Sequence, residues 1–350
     1  MAGGPAAQGR NRWLAASISG FMTLFIAGLI ALVAGFWIYS APGPAGGPTT
    51  ALLRKGSGLT DIGAELERVG TVRSGALFAA AAQVTGAARE LKAGEYEFAA
   101  RVPLSEVLRK IRSGEVVRHQ VTIPEGLTSR QIMAILTKSD VLTGSAPVPA
   151  EGAILPETYD VTRGEERSAV VQRMMKAQDD LLKTLWSRRQ ASLPLETPEQ
   201  AVTLASIVEK ETGVPSERPR VAAVYVNRLR RGMRLEADPT VVYGISGGEP
   251  MGRGLRESEL LTPGPYNTYL NTGLPPTPIG NPGRAALAAV LDPPATEEIF
   301  FVADGTGGHQ FAATYEAHLK NVGRWREIER MRKTQAEVAK SPKPAVKPPK

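Results

Sequence analysis

The residues best suited to do chemistry lie at the end of one helical stretch. Thr197-Pro198-Glu199-Gln200 carries a helix-start signature: a threonine cap, proline at the first helical position and glutamine at the reciprocal capping site. The predicted helix runs from Ala201 to Thr212 and stops at Gly213. At about 100° per residue, Leu204, Val208, Ala201 and Ala205 share one apolar face. Glu211 falls inside that face, Glu209 at its edge and Lys210 opposite. A carboxyl turned toward apolar neighbours at the negative end of a helix dipole has its pKa raised, as a general acid at neutral pH requires. The periodicity ranks Glu211 above Glu209 and leaves open a solvated glutamate in a last helical turn.

A loop further on carries the opposite kind of chemistry. Pro265-Tyr266-Asn267-Thr268-Tyr269 brings aromatic rings and amide and hydroxyl groups together, a composition suited to saccharide. The turn-rich stretch Gly273 to Gly283 follows it. A rival constellation is Gly244-Ile245-Ser246-Gly247-Gly248, which matches G-x-S-x-G and is followed by Asp304 and His309 in hydrolase order. A nucleophile elbow needs a strand before it and a helix after it, and Glu249-Pro250-Met251-Gly252 does not begin a helix, so we read this as a chance match. There is no cysteine, which removes thiol nucleophiles, disulfides and thiolate metal sites. The three histidines, His119, His309 and His318, cannot build an HExxH zinc motif. No S-x-x-K, P-loop or dinucleotide fingerprint occurs, and no cofactor is expected.

Several elements must carry these groups. The chain has 350 residues, enough for two domains, and an apolar fraction of 42% that supports a sizeable core. Thirty-six glycines and 27 prolines predict many turns and long loops. Residues 14–39 contain no charge and are long enough to cross a bilayer as a helix, with Trp13, Trp37 and Tyr39 at the ends as an aromatic belt. Arg10 and Arg12 set the N-terminal side, residues 1–13, in the cytoplasm. A cleaved signal peptide would have a shorter apolar core and a better small-residue site than Ser40-Ala41-Pro42-Gly43. The expectation is therefore an uncleaved single-pass anchor, with the remainder outside the cytoplasm. That position argues against nucleic acid as the partner of the +7 net charge.

After a tether at 40–50, residues 51–150 read as a small α+β domain. Thr60 is a plausible cap for one helix, Lys92 to Phe98 a strand, Ser105 to Ile111 a helix and Val121 to Ile123 a strand, and Thr128 with Gln131 forms a capping box for a third helix. Strand, glycine turn and capped helix together look like the LysM carbohydrate-binding unit. A plain α+β spacer is the alternative. Residues 151–332 are mainly helical with long Pro/Gly loops, and 333–350 read as a solvated Pro/Lys tail. The fold class is α+β: a transmembrane helix, a LysM-like domain and a larger helical catalytic domain.

Across 152–325 a series of motifs occurs in register: Leu204 to Thr212, Val226-Asn227-Arg228-Leu229, Gly232 to Leu235, Ala237-Asp238-Pro239-Thr240-Val241, Tyr266 to Tyr269, Gly273-Leu274-Pro275-Pro276, Asn281-Pro282-Gly283 and Phe301 to Gly305. Together they resemble the endolytic murein transglycosylases, the YceG-like family. The resemblance implies cleavage of the β-1,4 bond between N-acetylmuramic acid and N-acetylglucosamine within peptidoglycan strands, leaving 1,6-anhydro ends. It assigns catalysis to the second glutamate of Glu209-Lys210-Glu211 and implies that Glu157 lies at the site; Asn227, Asp238, Tyr266, Asn267, Tyr269 and Asn281, within the shared motifs, are the further candidates for saccharide binding. It also implies work on nascent strands beside peptidoglycan synthases. A hydrolytic muramidase and a non-catalytic wall-binding protein are the competing readings.

Overall fold

The computed structural model describes residues 6–340, with side chains from 19 to 335. Arg10, Arg12 and Trp13 of the expected cytoplasmic segment, and the end of the expected tail from 341 on, lie outside the described residues or side chains. The chain is mixed helix and sheet and forms two compact units. Among the described residues the first is 6–119 with 162–164, and the second is 120–161 with 165–340. This division falls after His119, whereas the sequence reading sets its boundary at 150.

The first unit begins with α1 (Ala6–Ser40), of which Ser19–Ser40 is long and apolar enough to cross a membrane. It continues through β1 (Thr49–Leu53), α2 (Leu59–Arg68), α3 (Gly75–Val84), β2 (Gly94–Phe98) and α4 (Leu104–Ser113). β1 and β2 pair antiparallel, Thr49 opposite Phe98 and Leu53 opposite Gly94. Alternation on β2 turns Tyr96 and Phe98 inward, onto Leu53, Leu66, Phe78 and Ile111. Tyr96 is fully buried and its hydroxyl donates to the carbonyls of Lys92 and Ile111. α2 and α3 cross where two glycines meet, since a Cβ on Gly63 would stand 2.5 Å from the Gly75 carbonyl oxygen. Gly58, not Thr60, caps α2.

The second unit comprises β3 (His119–Thr122, its first residue in the other unit), α5 (Ser129–Lys138), β4 (Leu142–Thr143), β5 (Thr158–Val161), β6 (Glu165–Glu166), α6 (Arg167–Ser187), α7 (Pro198–Glu211), α8 (Arg218–Arg230), α9 (Asp238–Ser246), α10 (Glu257–Leu260), α11 (Arg284–Leu291), β7 (Phe300–Ala303), β8 (His309–Ala312) and α12 (Tyr315–Lys340). β3 pairs with β5, β4 with β6 and β7 with β8. The capping box expected at Thr128 and Gln131 is present at the start of α5. α12 continues through Lys340, past the point where the tail is expected to begin. One apolar core joins β3, α5, β5 and α6. The other is built around α7, α8 and α11. Every residue of α7 from Ala201 to Val208 is buried, so α7 is an interior helix.

Candidate active site

Because α7 is interior, its last turn carries Glu209, Lys210 and Glu211 among protein groups. Thr197 caps its start, Oγ1 accepting from the Gln200 amide, with Pro198 as the first helical residue. At the far end Thr212 is extended and buried, and its hydroxyl accepts from the Val214 amide. Glu211 itself is partly buried, but its Oε2 is shielded from solvent and has no hydrogen-bond partner among the described residues. Burial raises the Glu211 pKa from 4.5 to about 7; hydrogen bonding to Tyr225 lowers it, the Asp238 charge raises it and the Arg228 guanidinium lowers it. A carboxyl near pKa 7 both gives and takes a proton at neutral pH.

These three neighbours are held firmly. Tyr225 on α8 is 1% exposed, edge-on to Phe301 at 5.8 Å, and burial pushes its phenol well above the usual range. Arg228, one turn later and also buried, donates to the carbonyls of Ile299 (2.8 Å) and Leu235 (2.9 Å) and to Glu236 Oε2 (3.0 Å). Glu236 takes the left-handed φ of 51°, which turns the chain into α9. Asp238 opens α9 with its carboxylate exposed, and accepts the Tyr269 hydroxyl at 2.6 Å. Thr268 locks that arrangement: its Oγ1 accepts from the Ala237 amide and pairs with Thr240 at 2.9 Å.

Glu209 points elsewhere. Its side chain is 4% exposed; Oε1 accepts from Arg218 at 2.8 Å and Oε2 from the Gly283 amide, which caps α11, at 2.9 Å. Burial raises its pKa first of all. Lys210, expected on the solvent side, is partly buried, and burial lowers its pKa against the opposing charges of Glu151 and Glu209. A helical wheel assumes one wet face, and α7 has none over most of its length.

The expected binding residues divide by what their side chains do. Asp238 and Tyr269 are joined to each other and act electrostatically on Glu211 or Tyr225. Tyr266 lies edge-on to Tyr243 at 4.9 Å and shares a 2.7 Å hydrogen bond with Thr277. The three asparagines are braces. Asn227 donates to the Thr296 and Glu298 carbonyls, and Asn267 to those of Leu260 and Thr262 while accepting from the Tyr269 amide. Asn281, fully buried, donates to the Leu127 carbonyl and Ser129 Oγ and accepts from the Ile154 amide. Glu157 is exposed and stands 3.8 Å from Arg284. Tyr225, Arg228 and Thr268 escaped the sequence reading as site residues. The signal available for the first two was their spacing of one helical turn on α8, within and beside the Val226 to Leu229 motif.

The serine constellation is not assembled. Ser246 ends α9 and donates to the Val242 carbonyl, while His309 Nδ1 pairs with Glu217 at 2.8 Å and Asp304 holds the Thr306 amide. Among the described residues no three His, Asp or Glu side chains gather as a metal site would.

The YceG-like family matches residues 52–324. The endolytic murein transglycosylase of Bacillus subtilis (strain 168) is 28% identical over 298 residues, covering 76% of this chain and 81% of that protein. The endolytic murein transglycosylase of Streptococcus pneumoniae serotype 2 (strain D39 / NCTC 7466) is 27% identical over 322 residues, covering 78% of this chain and 57% of that protein. The crystal structure of a YceG-like protein from Listeria monocytogenes superposes with a TM-score of 0.50 at 27% identity, over 78% of this chain and 98% of that one.

Proposed function

The chain belongs to the YceG-like family, and on that footing we propose that it is a peptidoglycan lytic transglycosylase, a lyase that cuts glycan strands internally at the β-1,4 bond between N-acetylmuramic acid and N-acetylglucosamine. The names of the bacillar and streptococcal relatives support the reaction class. One observation carries the assignment of the chemistry to this chain: Glu211 ends an interior helix with a shielded, unpartnered Oε2 and a pKa of about 7.

In this reading Glu211 enters protonated and gives its proton to the glycosidic oxygen as the bond to the anomeric carbon breaks. The resulting carboxylate accepts the proton of the muramic acid C6 hydroxyl. That oxygen attacks the anomeric carbon of its own ring and closes the 1,6-anhydro bridge. No water is consumed and Glu211 ends protonated. Internal attack gains from proximity, and no carboxylate nucleophile is required. Asp238, Tyr269 and Tyr266 line the saccharide path beside Glu211, and Glu157 extends it. Asn227, Asn267 and Asn281 shape that path through the backbone they hold.

The proposal extends to the rest of the chain, supported by the apolar length of Ser19–Ser40. α1 is a single-pass anchor, its N-terminus is cytoplasmic, and the rest faces the cell wall. The first unit is LysM-like and follows glycan. The enzyme ends nascent strands beside peptidoglycan synthases.

A hydrolytic muramidase is the second reading, and the charge of Asp238 near Glu211 is what favours it, since two-carboxylate glycosidases pair a raised acid with an ionised partner. Mass spectrometry of the products from purified peptidoglycan separates the two. Anhydro-muramyl ends support the lyase, and free reducing ends the muramidase.

A further inference from the structure

The first unit carries an apolar stripe that its own core leaves uncovered. Along α3, Leu77, Ala80 and Val84 recur at the three- and four-residue spacing of one helix face, with Ala81 between them partly buried against the core and Phe78 and Ala82 inside it. Leu77 is 43% exposed and Val84 88%. The ten residues of α3 contain no charged side chain. This stripe, with Thr85 and Leu104, forms one wall of an apolar groove of about 450 Å³, and the other wall is α1 from Ala31 to Tyr39. Tyr39, at the end of α1, packs against the core of the same unit.

Lengths then fix the level of the groove. The 22 residues from Ser19 to Ser40 rise about 33 Å, close to the ~30 Å hydrocarbon core of a bilayer. The groove-lining stretch of α1 is the last ~12 Å of that rise, so α3 lies beside the outer end of the span.

We propose that α3 is a second, peripheral membrane contact: its Leu77-Ala80-Val84 face sits in the outer acyl and headgroup boundary against α1, with lipid chains filling the groove. This rests on the reading of α1 as an anchor. Continuity with that anchor selects lipid over a protein partner, because whatever bilayer surrounds Ala31 to Tyr39 also meets α3. An interfacial helix of this kind buries its apolar face about 5–10 Å into the boundary. Its effect is to hold the first unit down on the membrane.

The chain has no cysteine, so single cysteines can be placed without background. Val84→Cys and Leu77→Cys, each in the full-length protein in phosphatidylglycerol/phosphatidylethanolamine vesicles, are labelled with an environment-sensitive fluorophore and quenched with lipids spin-labelled near the headgroup. Trp37→Cys, exposed at the outer end of the anchor, is the reference. The expected result is quenching at both α3 positions comparable to that at position 37, with a blue shift of emission relative to the unfolded protein. Quenching at position 37 with none at Leu77 or Val84 overturns the proposal and leaves the anchor standing. Absence of quenching at all three overturns the anchor and the proposal with it.

Discussion

Glu209 and Glu211, next-but-one neighbours on α7, are shielded in opposite ways. Glu209 spends both carboxylate oxygens on Arg218 and on the Gly283 amide. Glu211 keeps Oε2 buried and unpaired. The first arrangement is that of a strut, the second is the one the proposed mechanism asks of its acid, and they are separable by experiment.

The pH profile reports Glu211 directly. Burial holds its pKa up at about 7, and the Asp238 charge contributes to that rise. In the proposed mechanism the protonated form is the one that cleaves, so kcat/KM is expected to fall as pH rises through about 7. Asp238→Asn removes a charge that disfavours the carboxylate. The falling limb should therefore begin at lower pH in this variant, whatever happens to the maximum rate. A limb that stays in place contradicts the coupling.

Replacing Glu209 tests the strut. Glu209→Ala leaves Arg218, whose side chain is 13% exposed, without its nearer partner and the Gly283 amide without an acceptor. Breaking a pair this buried costs roughly 3 kcal/mol. Tm should drop by several degrees. Glu209→Gln, which keeps an acceptor for Gly283, should drop less. The remaining activity per folded molecule should keep the pH profile of wild type, whereas an acid-base role for Glu209 would move it.

Asn281 distinguishes a brace from a sugar contact. Its amide joins Leu127, Ser129 and Ile154. Asn281→Ala orphans buried groups at roughly 1–3 kcal/mol each. The expected signature is a lower Tm. A raised KM with unchanged Tm would instead mark direct contact with substrate.

Ser246 tests the serine alternative. Among the described residues its hydroxyl donates to the Val242 carbonyl within α9. Ser246→Ala is expected to leave peptidoglycan cleavage within about twofold, the scale of a surface substitution. Loss of activity would revive a serine nucleophile.

Local chemistry was readable in the sequence where the relevant partners lie within one turn. The Thr128–Gln131 box and the Thr197-Pro198 start needed only neighbours, and both are present. Glu211 could be singled out because the apolar residues around it repeat at helical spacing. Lys210 was misplaced because its side chain lies beside the Gly126 and Gly280 turns, which no wheel contains. α3 has no polar period to announce it, since its outward face is as apolar as its inner one. The asparagine braces were invisible for another reason. Asn281 bonds to residues 154 and 127 positions away, and Asn227 to a strand approach 69 positions away. Residue type marked them as polar loop residues without showing that the protein itself would consume their hydrogen bonds.

The central claim is that Glu211 performs both proton transfers of a lytic cleavage. The most direct measurement is mass spectrometry of purified peptidoglycan incubated with the full-length wild type beside Glu211→Gln, with circular dichroism confirming that both are folded. Wild type is expected to release 1,6-anhydro-muramyl ends, and Glu211→Gln to be slower by about 10²–10⁴-fold, the usual range for loss of general acid–base catalysis. Equal release of anhydro ends by a folded Glu211→Gln would contradict the assignment.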